Sequence, residues 1–165
     1  METNSKNKYS IRKATLSDVQ ILVSHHCMMF KEIRDLQDKK IDDSNYKKME
    51  EAQTRKIAED LPKGLCHAWI VEDENGEIVV SGAISVFSLV PTPENPNYIA
   101  AYLHSMYTEK EYRGNGLATK IIEEARNFCR QNNISIIMLS ASEAGKPVYA
   151  KMGFKPVSSF MHLMV

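Results

Sequence analysis

Apolar and polar residues along the chain recur with two periods, one typical of helices and one typical of strands. The clearest helical pattern follows residue 116, where charged side chains separate apolar residues spaced for one helix face: Leu117, Ile121, Ile122, Ala125, Phe128 and Cys129. Asn132 and Asn133 end this predicted helix. Residues 15–34 predict an earlier helix with a capped start, and the charged stretch 31–63 predicts a second helix that forms a solvated lid.

Runs of apolar and β-branched residues predict the strands of a sheet: residues 9–14, 66–71, 78–89, 100–108, 134–139 and 156–165. Asn75-Gly76 is a hairpin signal, so the second and third of these strands should pair antiparallel. The run 134–139 is almost wholly apolar, which predicts a strand covered on both faces. Pro147 and Gly153 bracket a short predicted helix, and the last run is expected to close the sheet.

The connection between the strand 100–108 and the next helix is rich in glycine, with the sequence RGNGLA at residues 113–118. Its glycines remove side chains where the N–H groups of a first helical turn are unpaired, and the helix dipole there favours an anion. Arg113 adds a planar donor fork that suits phosphate oxygens. The hexamer therefore indicates a cradle for a diphosphate, with an ordinary turn as the alternative.

Two common phosphate-binding motifs do not fit these residues. A Walker A loop needs Lys and then Ser or Thr after its last glycine, where this chain has Leu117 and Ala118. A Rossmann fingerprint needs a small residue at Thr119 and an acidic residue closing the next strand, which ends instead in the sequence SAS at residues 140–142.

A third pattern does fit. Arg113, Gly116 and Ala118 match the sequence Arg/Gln-x-x-Gly-x-Gly/Ala of the GNAT-type N-acetyltransferases. Downstream, residues 149–154 resemble that family's Tyr-x-x-x-Gly-Phe segment, in the same order and at the usual distance. The resemblance extends over nearly the whole chain, although residues 41–61 match only in general character.

The resemblance implies an α/β (α+β) GNAT fold, in which a central mixed, mostly antiparallel sheet splays between strands 4 and 5 and is flanked by helices. Strands 4 and 5 would be residues 100–108 and 134–140. Residues 1–165 would then form a single N-acetyltransferase domain, which agrees with the single core expected for a chain of 165 residues.

The same resemblance implies that acetyl-CoA, as a cosubstrate, enters the gap between those two strands. Its pantetheine arm would bond like an added strand to the backbone of Met106, Tyr107 and Thr108. Its pyrophosphate would lie on the glycine-rich loop and the first helical turn: Arg113, Gly114, Asn115, Gly116, Leu117, Ala118 and Thr119. Ser142 occupies the position where many members carry an Asn that contacts the cofactor arm, so a weaker or rearranged contact is expected there.

By its place in the motif, Tyr149 resembles the family's general acid. A phenol with a reference pKa of about 10 can protonate a leaving thiolate. The alternative is that Tyr149 only packs the short helix. His104 is the best candidate for the base, since some members carry a catalytic His or Glu at the matching distance before the phosphate loop and its titration range suits the task. An ordered water is the alternative base, and Glu72 and Glu111 are weaker candidates.

Side chains alternate between the two faces of a strand with a period of two residues. In the strand 100–108 this predicts that Tyr102, His104 and Met106 share one face, and that Leu103, Ser105 and Tyr107 share the other. A backbone N–H near Met106 or Tyr107 would stabilise the developing oxyanion.

The sequence His25-His26-Cys27 could suggest a metal site, but adjacent helical residues point about 100° apart and cannot converge on one ion. We therefore expect no metal. Cys129 belongs to the apolar helix face, so it is expected to be a buried small hydrophobe and not a nucleophile. Direct transfer within a ternary complex is favoured over an acyl-cysteine intermediate.

Composition excludes several classes of partner. The chain has 21 basic and 21 acidic residues, so no overall field favours nucleic acid or an anionic membrane. Its three cysteines have no metal-type spacing and cannot all pair, which favours a reducing interior. Residues 1–8 lack the apolar core of a signal peptide, and no apolar run is long enough to span a membrane. We expect a cytoplasmic protein with no nucleic-acid or membrane partner. A homodimer through an uncovered edge strand or through segment 156–165 is an alternative to a monomer.

The expected activity is acetyl-CoA-dependent transfer of an acetyl group to a primary amine of a small molecule, such as a polyamine, an amino acid or an antibiotic-like amine. The acceptor would contact the lid 31–63 and the proline-rich loop 91–97, neither of which carries a diagnostic signature. A peptide or protein amine is an alternative acceptor, and a longer acyl-CoA is an alternative donor. A catalytically inactive CoA-binding sensor is the alternative outside enzymes.

Overall fold

A five-stranded mixed sheet organises the computed structural model, which describes residues 8–157, 159 and 161–165. Its strands are β1 (Tyr9–Lys13), β2 (Cys66–Asp73), β3 (Ile78–Ser88), β4 (Ile99–Thr108) and β5 (Ile137–Met138). They lie in the order β1-β2-β3-β4-β5; the first four pair antiparallel, and β5 runs parallel to β4. This architecture confirms the predicted fold class, including the pairing of β2 with β3 across Asn75-Gly76.

Within the part of the chain that the structure describes, four α-helices flank the sheet: α1 (Val19–Leu36), α2 (Asp43–Lys63), α3 (Leu117–Gln131) and α4 (Lys146–Lys151). Short 3₁₀ turns precede α1 and α3 at Leu16–Asp18 and Lys110–Tyr112. Thr15 and Asp18 form a capping box that begins the first turn. The sequence predicted that the second helix ends within residues 61–64. The helix α2 continues through Pro62 and ends at Gly64, which has a left-handed conformation.

The sheet separates two apolar layers. The layer under α3 joins alternate sheet residues to one helix face: Trp69, Val71, Val80, Ile84, Ala101, Leu103, Leu117, Ile121, Ile122, Ala125 and Cys129. The opposite layer joins the sheet to α1 and α2: Val19, Leu22, Val23, Ile57, Ala68, Ile70 and Ala83. Each fully buried aliphatic side chain contributes about 1.5–3 kcal/mol, so these two layers hold the helices in place. Cys129 is buried as predicted, and burial raises the pKa of its thiol to about 11.

Strand β4 contains one extra residue relative to β3. The regular pairs on either side of the extra residue are Ser81 with Tyr107 and Ala83 with His104. Between those pairs, Ser105 and Met106 together lie opposite Gly82, which is the pattern of a β-bulge. Ser105 has a φ of 55°, in the left-handed region that a serine rarely adopts.

The bulge changes which side chains share a face of β4. His104 and Ser105 are adjacent in sequence, but both side chains lie on the α1 face of the sheet. There the Ser105 hydroxyl contacts the His104 ring and the His26 ring of α1. Met106 packs into the layer under α3, beside Gly82. The prediction that Tyr102, His104 and Met106 share one face is therefore wrong for Met106, because the extra residue reverses the alternation. The prediction that Ser105 and Tyr107 share the face of Leu103 is wrong for the same reason: Ser105 and Tyr107 lie on the α1 face, where they contact His26 and Glu32, whereas Leu103 packs under α3.

The last part of the sheet also differs from the prediction. The strand expected at 134–139 is reduced to Ile137–Met138, and both of these residues are half-buried instead of covered on both faces. The closing strand expected at 156–165 is absent from the described part of that segment; residues 158 and 160 lie outside the described residues. Val157 and Met161 are 68% and 91% exposed, so this segment makes no apolar layer. An apolar run such as 134–139 forms a strand only where the edge of a neighbouring strand is available for backbone pairing.

Candidate active site

Strands β4 and β5 separate shortly after they meet. Their parallel pairing consists of Ala101 with Ile137 and Tyr102 with Met138. From Leu103 to Thr108, the β5 side of β4 has no strand partner within the described residues. Backbone N–H and C=O groups along that edge can therefore pair with an extended ligand that enters as an added strand.

The open edge of β4 leads directly to the glycine-rich loop. Gly114 and Gly116 have φ values of 79° and 71°, and a Cβ added to either would meet no atom within 4 Å. Gly116 is the N-cap of α3, and no side chain of the described residues caps this end of the helix. The first-turn N–H groups and the positive end of the helix dipole therefore face open space. This geometry fits the diphosphate of a CoA cosubstrate.

Arg113 begins the loop, but its guanidinium points towards α1. Nη2 donates to both carboxylate oxygens of Glu32 at 2.8 and 3.0 Å, and Nε donates to the Thr108 carbonyl at 2.8 Å. The guanidinium also lies 5.5 Å from the centre of the Tyr107 ring, and the Tyr107 hydroxyl donates to Glu32. The fork that the sequence assigned to phosphate is thus largely engaged by a carboxylate in this structure.

His104 has both ring nitrogens in hydrogen bonds to serine hydroxyls. Nδ1 lies 2.8 Å from Ser105 Oγ, and Nε2 lies 2.9 Å from Ser85 Oγ on β3. Burial, with smaller contributions from His26 and Lys56, lowers the pKa of His104 to about 4. The ring is therefore neutral at neutral pH, and a proton reaches either nitrogen only past a serine hydroxyl.

Tyr149 lies on α4, the short helix that follows β5 in the chain. Its ring packs edge-on against Phe154, with the ring centres 5.7 Å apart, and it belongs to the layer under α3. Burial and the nearby Tyr102 hydroxyl raise the pKa of Tyr149. Tyr102 in turn stacks on His104 with the ring planes 19° apart. Tyr102 thus contacts one predicted catalytic side chain, His104, and influences the pKa of the other, Tyr149.

The α1 face contributes residues to which the sequence assigned no role. His26 Nδ1 lies 2.7 Å from Ser105 Oγ, and Glu32 binds Arg113. His25 is fully buried, with Nδ1 2.8 Å from Ser81 Oγ and Nε2 3.3 Å from Glu109 without hydrogen-bond geometry. No local pattern distinguishes these contacts, because each joins residues at least 56 positions apart.

The remaining predicted residues have local partners. The Ser142 hydroxyl accepts a hydrogen bond from the Gly145 N–H at 3.2 Å and so begins the turn into α4. Glu72, a weaker candidate for the base, accepts a hydrogen bond from Arg12 at 2.8 Å on the first two strands. Glu111 lies exposed in the 3₁₀ turn before the loop. Within the described residues, no helix is long and apolar enough to cross a membrane.

Comparisons with known proteins agree with this geometry. Residues 32–161 match the family model described as "Acetyltransferase (GNAT) domain". A predicted acetyltransferase from Clostridium acetobutylicum, solved with acetyl-CoA, is 32% identical and superposes with a TM-score of 0.83 over 94% of this chain and 96% of that one. No curated protein sequence matches the chain.

More distant structures share the fold. A GCN5-related N-acetyltransferase from Ralstonia eutropha JMP134 is 22% identical, with a TM-score of 0.83 over 94% of this chain and 98% of that one. Glucosamine-6-phosphate N-acetyltransferase from Arabidopsis thaliana is 19% identical, with a TM-score of 0.63 over 94% and 97%.

The splayed sheet, the glycine-rich N-terminus of α3 and the family match together define the class of this protein as an acetyltransferase. The chain belongs to the GNAT acetyltransferase family.

Proposed function

We propose that this protein transfers the acetyl group of acetyl-CoA to a primary amine of a small molecule, such as a polyamine, an amino acid or an antibiotic-like amine, by direct transfer in a ternary complex. The observation that carries the proposal is the unpaired edge of β4 from Leu103 to Thr108, which leads directly into the glycine-rich loop. A strand-like arm and a diphosphate joined end to end are the shape of CoA, so one ligand accounts for both features.

In this proposal the pantetheine arm of acetyl-CoA pairs with the backbone of Met106, Tyr107 and Thr108. Its pyrophosphate accepts hydrogen bonds from the loop and the first turn of α3: Arg113, Gly114, Asn115, Gly116, Leu117, Ala118 and Thr119. Ser142 contributes a hydroxyl near the same gap. Bound acetyl-CoA supplies an acetyl group activated as a thioester, and N–H groups at the β4 bulge would donate to its carbonyl oxygen.

Tyr149 acts in this proposal as the general acid that protonates the departing thiolate. Its raised pKa keeps the phenol protonated at neutral pH, and the effect of Tyr102 on that pKa places the phenol in the neighbourhood of β4. Cys129 is unsuited to an acyl-enzyme step, because its thiol is buried and its pKa is raised to about 11.

His104 acts as the base that receives the proton of the acceptor amine. Its pKa of about 4 keeps the ring unprotonated and able to accept a proton at neutral pH. Because Ser85 and Ser105 occupy its two nitrogens, the proton would reach the ring through a serine hydroxyl. An ordered water is the alternative base.

Further parts of the proposal concern the protein as a whole. Residues 1–165 would act as one catalytic domain, and the reduced Cys27, Cys66 and Cys129 agree with a cytoplasmic location. We propose no metal, nucleic-acid or membrane partner, and a homodimer remains part of the hypothesis.

The test is acetyl-CoA-dependent thiol release measured with a panel of polyamines, amino acids, aminoglycosides and short peptides. Tyr149→Phe and His104→Gln are measured beside the parent, with binding of CoA followed separately by calorimetry. We expect release with one class of small amine, and a kcat about 10²–10⁴-fold lower for Tyr149→Phe with unchanged CoA affinity.

Each other result rejects a defined part of the proposal. Release with peptides alone would replace the small-molecule acceptor with a protein amine. Release with propionyl-CoA or succinyl-CoA but not with acetyl-CoA would replace the donor. Tight CoA binding without release for any acceptor would favour a sensor, and an unchanged kcat in Tyr149→Phe would remove that residue as the acid.

A further inference from the structure

Four side chains form a continuous series of hydrogen bonds on the α1 face of the sheet. Ser85 Oγ lies 2.9 Å from His104 Nε2, His104 Nδ1 lies 2.8 Å from Ser105 Oγ, and Ser105 Oγ lies 2.7 Å from His26 Nδ1. We call Ser85, His104, Ser105 and His26 the serine–histidine chain. It joins β3, β4 and α1 without an interruption.

The β4 bulge makes this chain possible. In a regular strand the adjacent residues His104 and Ser105 would point to opposite faces of the sheet. The left-handed φ of 55° at Ser105 turns its hydroxyl to the face of His104, where it also meets His26. A strained conformation at this position persists only where the surrounding structure imposes it.

The number of protons in the chain limits how it can be arranged. The Ser105 hydroxyl carries one proton and lies between two ring nitrogens, His26 Nδ1 and His104 Nδ1. Ser105 is 7% exposed, and no third partner for its hydroxyl occurs in the described part of the chain. All three groups are satisfied only when one ring carries its proton on Nδ1 and the other ring does not. Two such arrangements exist, and they interconvert when protons shift along the chain.

The two ends of the chain differ in their surroundings. Ser85 and His104 are partly buried on the sheet face, next to Tyr102, which stacks on His104. At the other end, His26 is partly exposed on α1. His26 Nε2 has no protein hydrogen-bond partner among the described residues. It is not among their buried polar side-chain atoms without a partner, which consist of His25 Nε2 alone, so His26 Nε2 reaches solvent.

We propose that the serine–histidine chain is a proton relay that carries the proton of the acceptor amine from Ser85 through His104 and Ser105 to water at His26. This inference rests on the proposed N-acetyltransferase function and on His104 as its base. His104 and Ser85 take part in the chemistry directly, whereas Ser105 and His26 act through His104.

The transfer balances one proton in with one proton out. As the amine nitrogen bonds to the acetyl carbon, its proton passes to Ser85 Oγ, and the Ser85 proton passes to His104 Nε2. The proton on His104 Nδ1 moves to Ser105 Oγ, the original Ser105 proton moves to His26 Nδ1, and His26 releases its Nε2 proton to water. After the product leaves, the reverse shift delivers a proton from Ser85 to water in the vacated acceptor site and restores the first arrangement.

The surroundings of the two rings suit transfer better than storage of the proton. Burial lowers the pKa of His26, and burial followed by the charges of His26 and Lys56 lowers that of His104. A proton that arrives on either ring at neutral pH is therefore passed on quickly.

The first test reads the proton arrangement without any catalysis. Nitrogen-15 NMR of the histidine side chains at neutral pH reports whether Nδ1 or Nε2 is protonated. We expect the Nδ1 proton occupancies of His26 and His104 to sum to one, and we expect Ser105→Ala to remove that relation. Two rings in the same tautomer would overturn the relay, whether or not the amine acceptor has been found.

The second test uses the single-turnover rate of acetyl transfer by the full-length enzyme. We expect His26→Ala to lower this rate about 10-fold with unchanged CoA affinity, and imidazole in the buffer to restore it. His67→Ala is the matched control, because His67 is a partly buried histidine that bonds the Gly64 carbonyl and lies outside the chain. Neither its rate nor its buffer dependence should change.

The outcomes separate the relay from the function on which it rests. If the parent transfers acetyl to no amine, the proposed function fails and the relay, which rests on it, fails with it. If His104→Gln reacts as fast as the parent, the base assignment and the relay both fail. If His104→Gln is slow while His26→Ala is as fast as the parent, or is slow without rescue by imidazole, only the relay is overturned.

Discussion

Arg113 Nη2 lies 2.8 and 3.0 Å from the two carboxylate oxygens of Glu32, so an ion pair joins α1 to the loop that begins α3. Lys110 is 3.9 Å from the same carboxylate, and the Tyr107 hydroxyl also donates to it. Glu32 therefore engages the Arg113 and Tyr107 side chains beside the open N-terminus of α3.

From this relationship we expect Glu32→Gln to strengthen CoA binding. The substitution removes a negative charge from the neighbourhood of the diphosphate and releases the Arg113 fork to bind it. The dissociation constant measured by calorimetry at low salt should fall about 2–5-fold, and the gain should shrink as salt screens it. Glu59→Gln, at an exposed position on α2, is the control for loss of charge. Weaker binding in Glu32→Gln would instead make Glu32 the residue that orients Arg113.

Gly82→Ala should disturb the bulge of β4. An added Cβ would overlap the Met106 sulfur and lie 3.0 Å from Ile121 Cγ2, so the Met106 side chain would have to move. We expect the free energy of unfolding, measured by urea denaturation, to fall by about 1–3 kcal/mol. In Gly82→Ala/Met106→Ala the loss should be smaller than the sum of the two single losses, because the second substitution makes room for the first. Simple additivity would show that the two residues do not contact each other.

Gly145→Ala should separate activity from stability. Gly145 has ordinary helical angles, so alanine fits the backbone, but its Cβ would lie 2.9 Å from Tyr149 Cε2. The Tyr149 ring must shift, and we expect kcat to fall about 10-fold while the melting temperature is unchanged or higher. In a Tyr149→Phe background, the same substitution should have no further effect on kcat. A further loss there would mean that Gly145 acts through something other than the phenol.

Asp18→Asn should reduce stability in a pH-dependent way. Hydrogen bonds from Arg12 and Thr15 lower the pKa of Asp18 from 3.8 to about 2. A lowered pKa in the folded state stabilises the fold at pH values above 3.8, and this contribution disappears as the pH falls through 2. We expect a loss of about 1–2 kcal/mol at neutral pH, because solvent screens the partly exposed Arg12.

The same measurement repeated at low pH provides the internal check. The difference between the parent and Asp18→Asn should shrink as the pH falls below 3.8 and vanish only below pH 2, where Asp18 of the folded parent is also protonated. Asp35→Asn, on the exposed side of α1, should show no such difference at any pH. A difference that persists unchanged at low pH would assign the effect to packing instead of charge.

Local sequence patterns predicted much of this molecule. The spacing of Leu117, Ile121 and Ala125 corresponds to the buried face of α3, and Asn75-Gly76 corresponds to the turn between β2 and β3. These features depend on residues close together in the chain, where periodicity and turn preferences are sufficient. The glycine loop could be recognised for the same reason.

The errors have a common physical origin. The alternation predicted for β4 failed because Gly82, on the neighbouring strand, faces two residues instead of one. The run 134–139 forms only a short strand because β4 and β5 diverge after Tyr102 and Met138. A residue's own neighbours in sequence do not reveal the register or the divergence of a partner strand.

The sequence by itself determined the class of protein, the order of its helices and strands up to α4 and the loop suited to a diphosphate, because these follow from short-range spacing and from motifs of a few residues. Only the tertiary structure decided that Ser105 faces His104 and His26, that Glu32 holds Arg113 and that Ser85 contacts His104. These relationships join side chains from separate elements, and packing of the whole chain sets the distances between them.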